Sequence, residues 1–173
     1  LKLLDMPNVR FEVEQTSCEL SPDGADKLQF LVSTNPGEPP KPIAKIASGG
    51  ELSRIMLALK TVLSNQDIVG TMIFDEVDAG IGGSAAGKVG KKLKEVSRSR
   101  QVICVTHSAQ IAAMAETQFR IEKKVLENRT FTDVHLLSHE ERQKEIARMI
   151  GGTDVTELTM RNAEEMLCLA QNS

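Results

Sequence analysis

Two short apolar runs limit the fold of this chain more than any other feature. Residues 69–74 (VGTMIF) and 101–106 (QVICVT) have the length and the β-branched content of buried strands. Between them, from about Ser84 to Ser97, Ala85, Ala86, Val89, Leu93 and Val96 recur at helical spacing. A strand, a helix of a dozen or more residues and a second strand make a parallel pair, because a short turn cannot carry the chain back to the same end of a sheet. The expected class is therefore α/β, with a mainly parallel sheet flanked by helices.

The remaining segments fit around that unit. Residues 9–14 alternate and pair with a run at 28–33, with PDGAD (22–26) in the turn. The stretch NPGEPPKP (35–42) forms a connecting loop, since its prolines remove backbone donors. A helix is expected from Gly49 to about Ser64, a short one through IAAMA, a hairpin over 118–125 and 130–137 joined by LENR, and two final helices, about 139–150 and 156–171. Ser138 and Glu141 have capping-box spacing at the first of these two. LKLLDM (1–6) reads as the end of a helix stopped before Pro7.

Composition excludes several classes. At 173 residues, 40% hydrophobic and 26% charged, the chain has the makeup of one globular domain, residues 7–173. No apolar run approaches the roughly 20 residues of a membrane span, and no signal peptide is read at the start. A first residue of Leu rather than Met gives the expectation of a fragment. Three scattered cysteines without a CxxC fit unpaired thiols in a reducing cytosol, with Cys104 as a buried structural thiol. A net charge of −3 supplies no global attraction to nucleic acid. The basic run Lys88, Lys91, Lys92, Lys94, Arg98, Arg100 reads first as a solvated helix face and second as a DNA-binding patch.

Three stretches carry chemistry. In IASGGELSR (46–54) two glycines open an apolar helix, although glycine costs roughly 1 kcal/mol against alanine inside one. Ser48 and Glu51 have S-x-x-E spacing, so Ser48 is an expected N-cap with Glu51 as its reciprocal partner. Gly49 and Gly50 then fall in the first turn, where bare N–H groups and the positive dipole end suit a phosphate. A plain capping box with incidental glycines fits the same residues. In TMIFDEVDAGIGG (71–83) a strand delivers Asp75 and Glu76 to its C-terminal end, where open α/β sheets place ligands. An acidic residue there can hold Mg²⁺, the role given to Asp75, and the adjacent Glu76 can polarise an attacking water. Asp78 is a third carboxylate. In VICVTHSAQ, His107 follows the other strand end, where an imidazole can hydrogen-bond a phosphate or the attacking water.

A glycine-opened helix, then strand-Asp-Glu, then strand-His, in that order, resembles the layout of ABC-type ATPase heads. On that resemblance Ser48–Glu51 match the signature, Met72–Glu76 the Walker B, Asp78 the D-loop and His107 the switch. The wording of IAKIASGGELSRIMLALK, FDEVDAGIGG, ICVTHSAQIAA and ARMIGG is similar to a bacterial DNA-repair family related to structural-maintenance-of-chromosomes (SMC) proteins. The resemblance implies the C-terminal lobe of an ABC/SMC-type P-loop ATPase head acting in double-strand break repair and recombination, in the cytoplasm and associated with the nucleoid. It implies ATP and Mg²⁺ as cofactors, and as partners an N-terminal P-loop lobe of the same protein, a second head and DNA. Residues 1–6 would then end a coiled coil.

One departure qualifies that likeness. No G-x-x-x-x-G-K-[ST] occurs, and in GIGGSAAGK (80–88) no Ser or Thr follows Lys88. The phosphate cradle is therefore expected on the other lobe, and this chain alone is expected to be inactive. Another SMC or recombination head, or a non-catalytic dimerisation domain, are the alternative readings.

Overall fold

The computed structural model describes residues 1–46, 48–63, 69–126 and 129–171. The expected end of the first long helix at Ser64 and the LENR turn involve residues outside this set. The elements run β1 (Arg10–Ser21), β2 (Gly24–Ser33), β3 (Lys41–Pro42), α1 (Gly49–Val62), β4 (Thr71–Phe74), α2 (Gly83–Ser97), β5 (Gln101–Cys104), α3 (Ala109–Met114), β6 (Phe119–Leu126), β7 (Arg129–Leu136), α4 (His139–Gly151) and α5 (Glu157–Gln171).

The central unit is the expected one. β4 and β5 pair in parallel, Met72 beside Val102 and Phe74 beside Cys104, with α2 as the crossover. Met72 and Phe74 pack with Val89, Leu93 and Val96 of α2 and Leu57 of α1 in the main core. Burial of residues spaced three and four apart holds α2 as a helix, each large side chain contributing about 1.5–3 kcal/mol.

The other strands form antiparallel sheets of their own, β1–β2–β3 and β6–β7. β1 and β2 extend well beyond the alternating stretch: the pairing continues regularly to Ser17 opposite Asp26, then shifts register before Ser21 meets Gly24 at the turn. A second core joins Ala109, Ala112 and Ala113 of α3 to Ile146 and Ala147 of α4 and Ala163 and Leu167 of α5, small residues allowing the three helices to close. Ser138 caps α4 in a complete capping box with Glu141, as the spacing predicts.

Residues 1–6 differ from a helix end. Only Lys2–Leu4 are helical, in a single 3-10 turn, and Asp5 turns the chain through a left-handed conformation at φ 61°. Leu4 is buried in the main core and Met6 packs with Val32 and Ile55. No helix among the described residues is long and apolar enough to cross a membrane.

Candidate active-site rim

Strand polarity decides where the chemistry collects. In a parallel pair both C-terminal ends lie on one edge, so the loop after β4 (75–79) and the loop after β5 (105–108) stand side by side. The Val105 N–H donates to the Phe74 carbonyl at 2.9 Å and carries the pairing to the rim.

Asp78 ties the two loops together. Its Oδ2 accepts from Thr106 Oγ1 at 2.6 Å, from His107 N–H at 2.8 Å and from Ser108 N–H at 2.9 Å. Burial alone would raise this carboxyl, but the Thr106 hydroxyl and the His107 and Ser108 amides outweigh it, leaving the pKa below the usual aspartate value. Asp78 thus holds the His107 loop within its own chain. His107 joins the site through its backbone, and its side chain is exposed. Cys104, just beneath, is half-buried rather than fully buried, and its pKa is pushed up to about 12 by burial and then by Asp78 and Asp75, which keeps the thiol protonated at neutral pH.

α1 lies against the other side of the 75–79 loop. Ser48 caps the helix, its Oγ accepting from Glu51 N–H at 3.4 Å. One turn on, Ser53 Oγ donates to the Asp75 carbonyl at 2.7 Å, and Arg54 Nη1 donates to the carbonyls of Val77 at 3.2 Å and Ala79 at 2.8 Å. Burial lowers the Arg54 pKa, against the upward pull of Glu51, Asp5 and Asp78. Sequence reasoning missed Ser53, Arg54 and Thr106. The only local signal was an arginine beside the apolar positions of α1.

The two glycines have a cause inside the chain. A Cβ on Gly50 would lie 2.9 Å from the Glu76 carbonyl, the Ala79 carbonyl and the Ala79 side chain, so the helix could not approach the loop. A Cβ on Gly49 would meet Glu76 Oε2 at 2.7 Å. This packing accounts for Gly50 whether or not a phosphate comes near the first turn, whereas at Gly49 the Glu76 side chain could swing aside. It also places the Glu76 carboxylate beside the start of α1. Glu76 itself sits at φ 55°, a left-handed conformation that costs a non-glycine residue about 1 kcal/mol or more and survives where neighbours impose it.

The structure therefore brings Gly49, Gly50, Asp75, Glu76, Asp78 and the His107 backbone to one rim. Asp75 and Glu76 are exposed there. Among the described residues no cluster of three or more His, Cys, Asp or Glu forms a metal cage. A cleft of about 390 Å³ opens beside Asp78 and His107, bounded by Gly83, Gln110, Met149 and Ile150. In the basic run, Lys92 pairs with Glu95, Lys94 bonds the Ala170 carbonyl and Arg100 donates to the Val69 carbonyl, so half of its charges have structural partners.

No family model matches the chain. A protein of Halalkalibacterium halodurans named DNA repair protein RecN is 49% identical over 98% of the chain and 31% of its own length. The protein of the same name from Bacillus subtilis is 50% identical over 86% of the chain and 26% of its own length. The chain thus spans about a third or less of the curated relatives it matches. Among solved structures, an Smc head domain with a coiled coil from Pyrococcus yayanosii aligns with a TM-score of 0.57 at 24% identity, over 84% of this chain and 27% of that one. An Smc head from Pyrococcus furiosus, bound to the C-terminal domain of ScpA, aligns at 0.54 and 22% identity, over 86% and 36%. The sequence is RecN-like and the fold is similar to that of part of an SMC head.

Proposed function

We propose that this chain, RecN-like over nearly its whole length, is the C-terminal lobe of an SMC-like, ABC-type ATPase head that serves DNA double-strand break repair and recombination. The observation that carries the proposal is the single rim on which Asp75, Glu76, Asp78 and the His107 loop meet the capped, glycine-opened start of α1.

The roles combine the chemistry of these groups with what the resemblance to ABC-type heads implies. Glu76 is the base that polarises the water attacking the terminal phosphate of ATP, and His107 orients that phosphate or water. Asp75 is the protein's carboxylate toward Mg²⁺. The donor set fits this ion, which takes one or two carboxylates and fills its other positions with water and substrate phosphate, so no larger cage is needed. Ser48, Gly49, Gly50 and Glu51 form the signature turn, offered to nucleotide held by a second head. Asp78, read from sequence as a nucleotide-side D-loop residue, acts in this chain by fixing the switch loop.

The cradle for the remaining phosphates does not fit on this chain, which has no P-loop sequence. The N-terminal lobe of the same protein supplies it. The sheet supports such a partner: a parallel pair is ordinarily covered on both faces, yet Ile73 and Ile103 are exposed on the face turned away from α2. A second head completes the composite site, and DNA is engaged by the whole protein, in the cytoplasm at the nucleoid.

The test is Glu76→Gln in the intact protein. Nucleotide binding should persist while steady-state hydrolysis falls by about a hundredfold or more. Turnover near wild type would remove Glu76 from its role.

A further inference from the structure

Arg54 is the one charged side chain that α1 buries, only 5% exposed. Burying a guanidinium requires compensation, which here comes from two main-chain carbonyls of a single loop, Val77 at 3.2 Å and Ala79 at 2.8 Å. Its Nε, also buried, has no hydrogen-bond partner among the described residues. The side chain is therefore committed to the loop rather than to a carboxylate.

The same helix grips the loop at two further points. Ser53 Oγ donates to the Asp75 carbonyl, and Gly50 lets the helix rest against the Glu76 and Ala79 carbonyls. Between these contacts lies Glu76 in its left-handed conformation, closed by the Ala79 N–H donating to the Glu76 carbonyl at 2.9 Å. Such a conformation persists only where the surroundings over-determine it.

We propose that Arg54 is a positioning residue for Glu76: its two-carbonyl clamp fixes the 75–79 loop to α1, so that the loop and the first turn of the helix move as one body. The inference rests on the ATPase reading above, which assigns Glu76 the base. Its consequence is a mechanical link. Whatever docks on Ser48–Gly50 bears on the Glu76 carboxylate through the close approach at Gly49 and on its backbone through Arg54. Both bonds come from the one Nη1, held in the plane of the guanidinium; a lysine ammonium has enough donors for two carbonyls but ends a flexible stem and fixes their positions less firmly.

The experiment compares Arg54→Lys and Arg54→Met with wild type in the intact protein by steady-state Mg-ATP hydrolysis, alongside amide exchange of this chain. Both variants should lower kcat by about tenfold or more and leave KM within about twofold, because binding is retained and the base is misplaced. Exchange of amides 75–79 should quicken while that of α4 and α5 does not change. A kcat within about twofold of wild type overturns the inference, as does a rise in exchange throughout the chain with kcat and KM worsening together, which marks a purely structural role. Should both variants fail to fold, Ser53→Ala removes one grip at an exposed site. A fall in kcat of about threefold at constant KM supports the clamp, and an unchanged kcat refutes it. Hydrolysis surviving in Glu76→Gln removes the assignment of Glu76 as base on which this inference rests; an inert Glu76→Gln beside a fully active Arg54→Lys sinks this inference alone.

Discussion

Phe74 and Ile73 are neighbours on one four-residue strand, yet the first is 5% exposed and the second 70%. Their contrast extends through the lobe. The Phe74 face of the sheet is packed by α1 and α2, and the rim at its end is cross-braced by Ser53, Arg54 and Asp78. Ile73 is open, as are Val13, Leu28 and Phe30 at the far part of one β1–β2 face, whose Val32 end is buried, and Phe119, Ile121, Val134 and Leu136 on one face of β6–β7. The chemistry is organised by contacts within the chain while these apolar residues are left exposed, a contrast that fits the lobe proposed above.

The largest expected effect sharpens this contrast on adjacent residues. Phe74→Ala should destabilise the chain by about 3–5 kcal/mol in urea unfolding, whereas Ile73→Ala should change it by less than about 0.5 kcal/mol. Equal losses would mean that the open face is covered in solution. Next is Gly50→Ala, whose Cβ meets two carbonyls and a side chain at 2.9 Å; overpacking there should cost about 1–3 kcal/mol. At Gly49 the obstruction is the end of the flexible Glu76 side chain, so Gly49→Ala should cost less than about 1 kcal/mol and act on hydrolysis instead.

Asp78→Asn is expected to remove about 1.5 kcal/mol at neutral pH, by weakening charge-assisted bonds. Because the folded-state pKa of Asp78 is depressed, its stabilisation is fully present above the unfolded value near 3.9 and is lost as pH falls through the lower folded value. The wild-type and Asn curves should therefore converge in acid. A constant gap from pH 7 to pH 3 would show that the charge is not what holds the 105–108 loop. Smallest of all is Lys91→Glu, at an exposed position, with an expected change within about 0.5 kcal/mol and no loss of DNA affinity by the intact protein. A marked fall in affinity with a shallower salt dependence would instead make that helix face a DNA contact.

Much of this architecture is legible in the sequence where periodicity is strong. α2, β4, β5, α4 and α5 lie within a residue or two of the spacing-based limits, since each is patterned by burial on one face. β1 and β2 outrun their alternation because the hairpin pairs through backbone bonds that leave no side-chain pattern, regularly to Ser17 and with a register shift before Ser21. Residues 1–6 read as helix but are turned at Asp5, so that Leu4 and Met6 can reach two different cores. At the rim, the Asp-Glu pair and the His stand where strand ends place them. The grounds for Gly49, Gly50 and Arg54 were not legible, since their partners lie more than twenty residues away on another loop. Asp78 was singled out, but the donors that occupy it could be found only in three dimensions.

The most direct measurement is calorimetric titration of this chain, folded by circular dichroism, with Mg-ATP. If the nucleotide site is shared between lobes, no binding heat appears up to about millimolar nucleotide, the weak end of the affinity scale. Saturable binding at about micromolar concentration would contradict the composite site and reveal a complete phosphate cradle within these 173 residues.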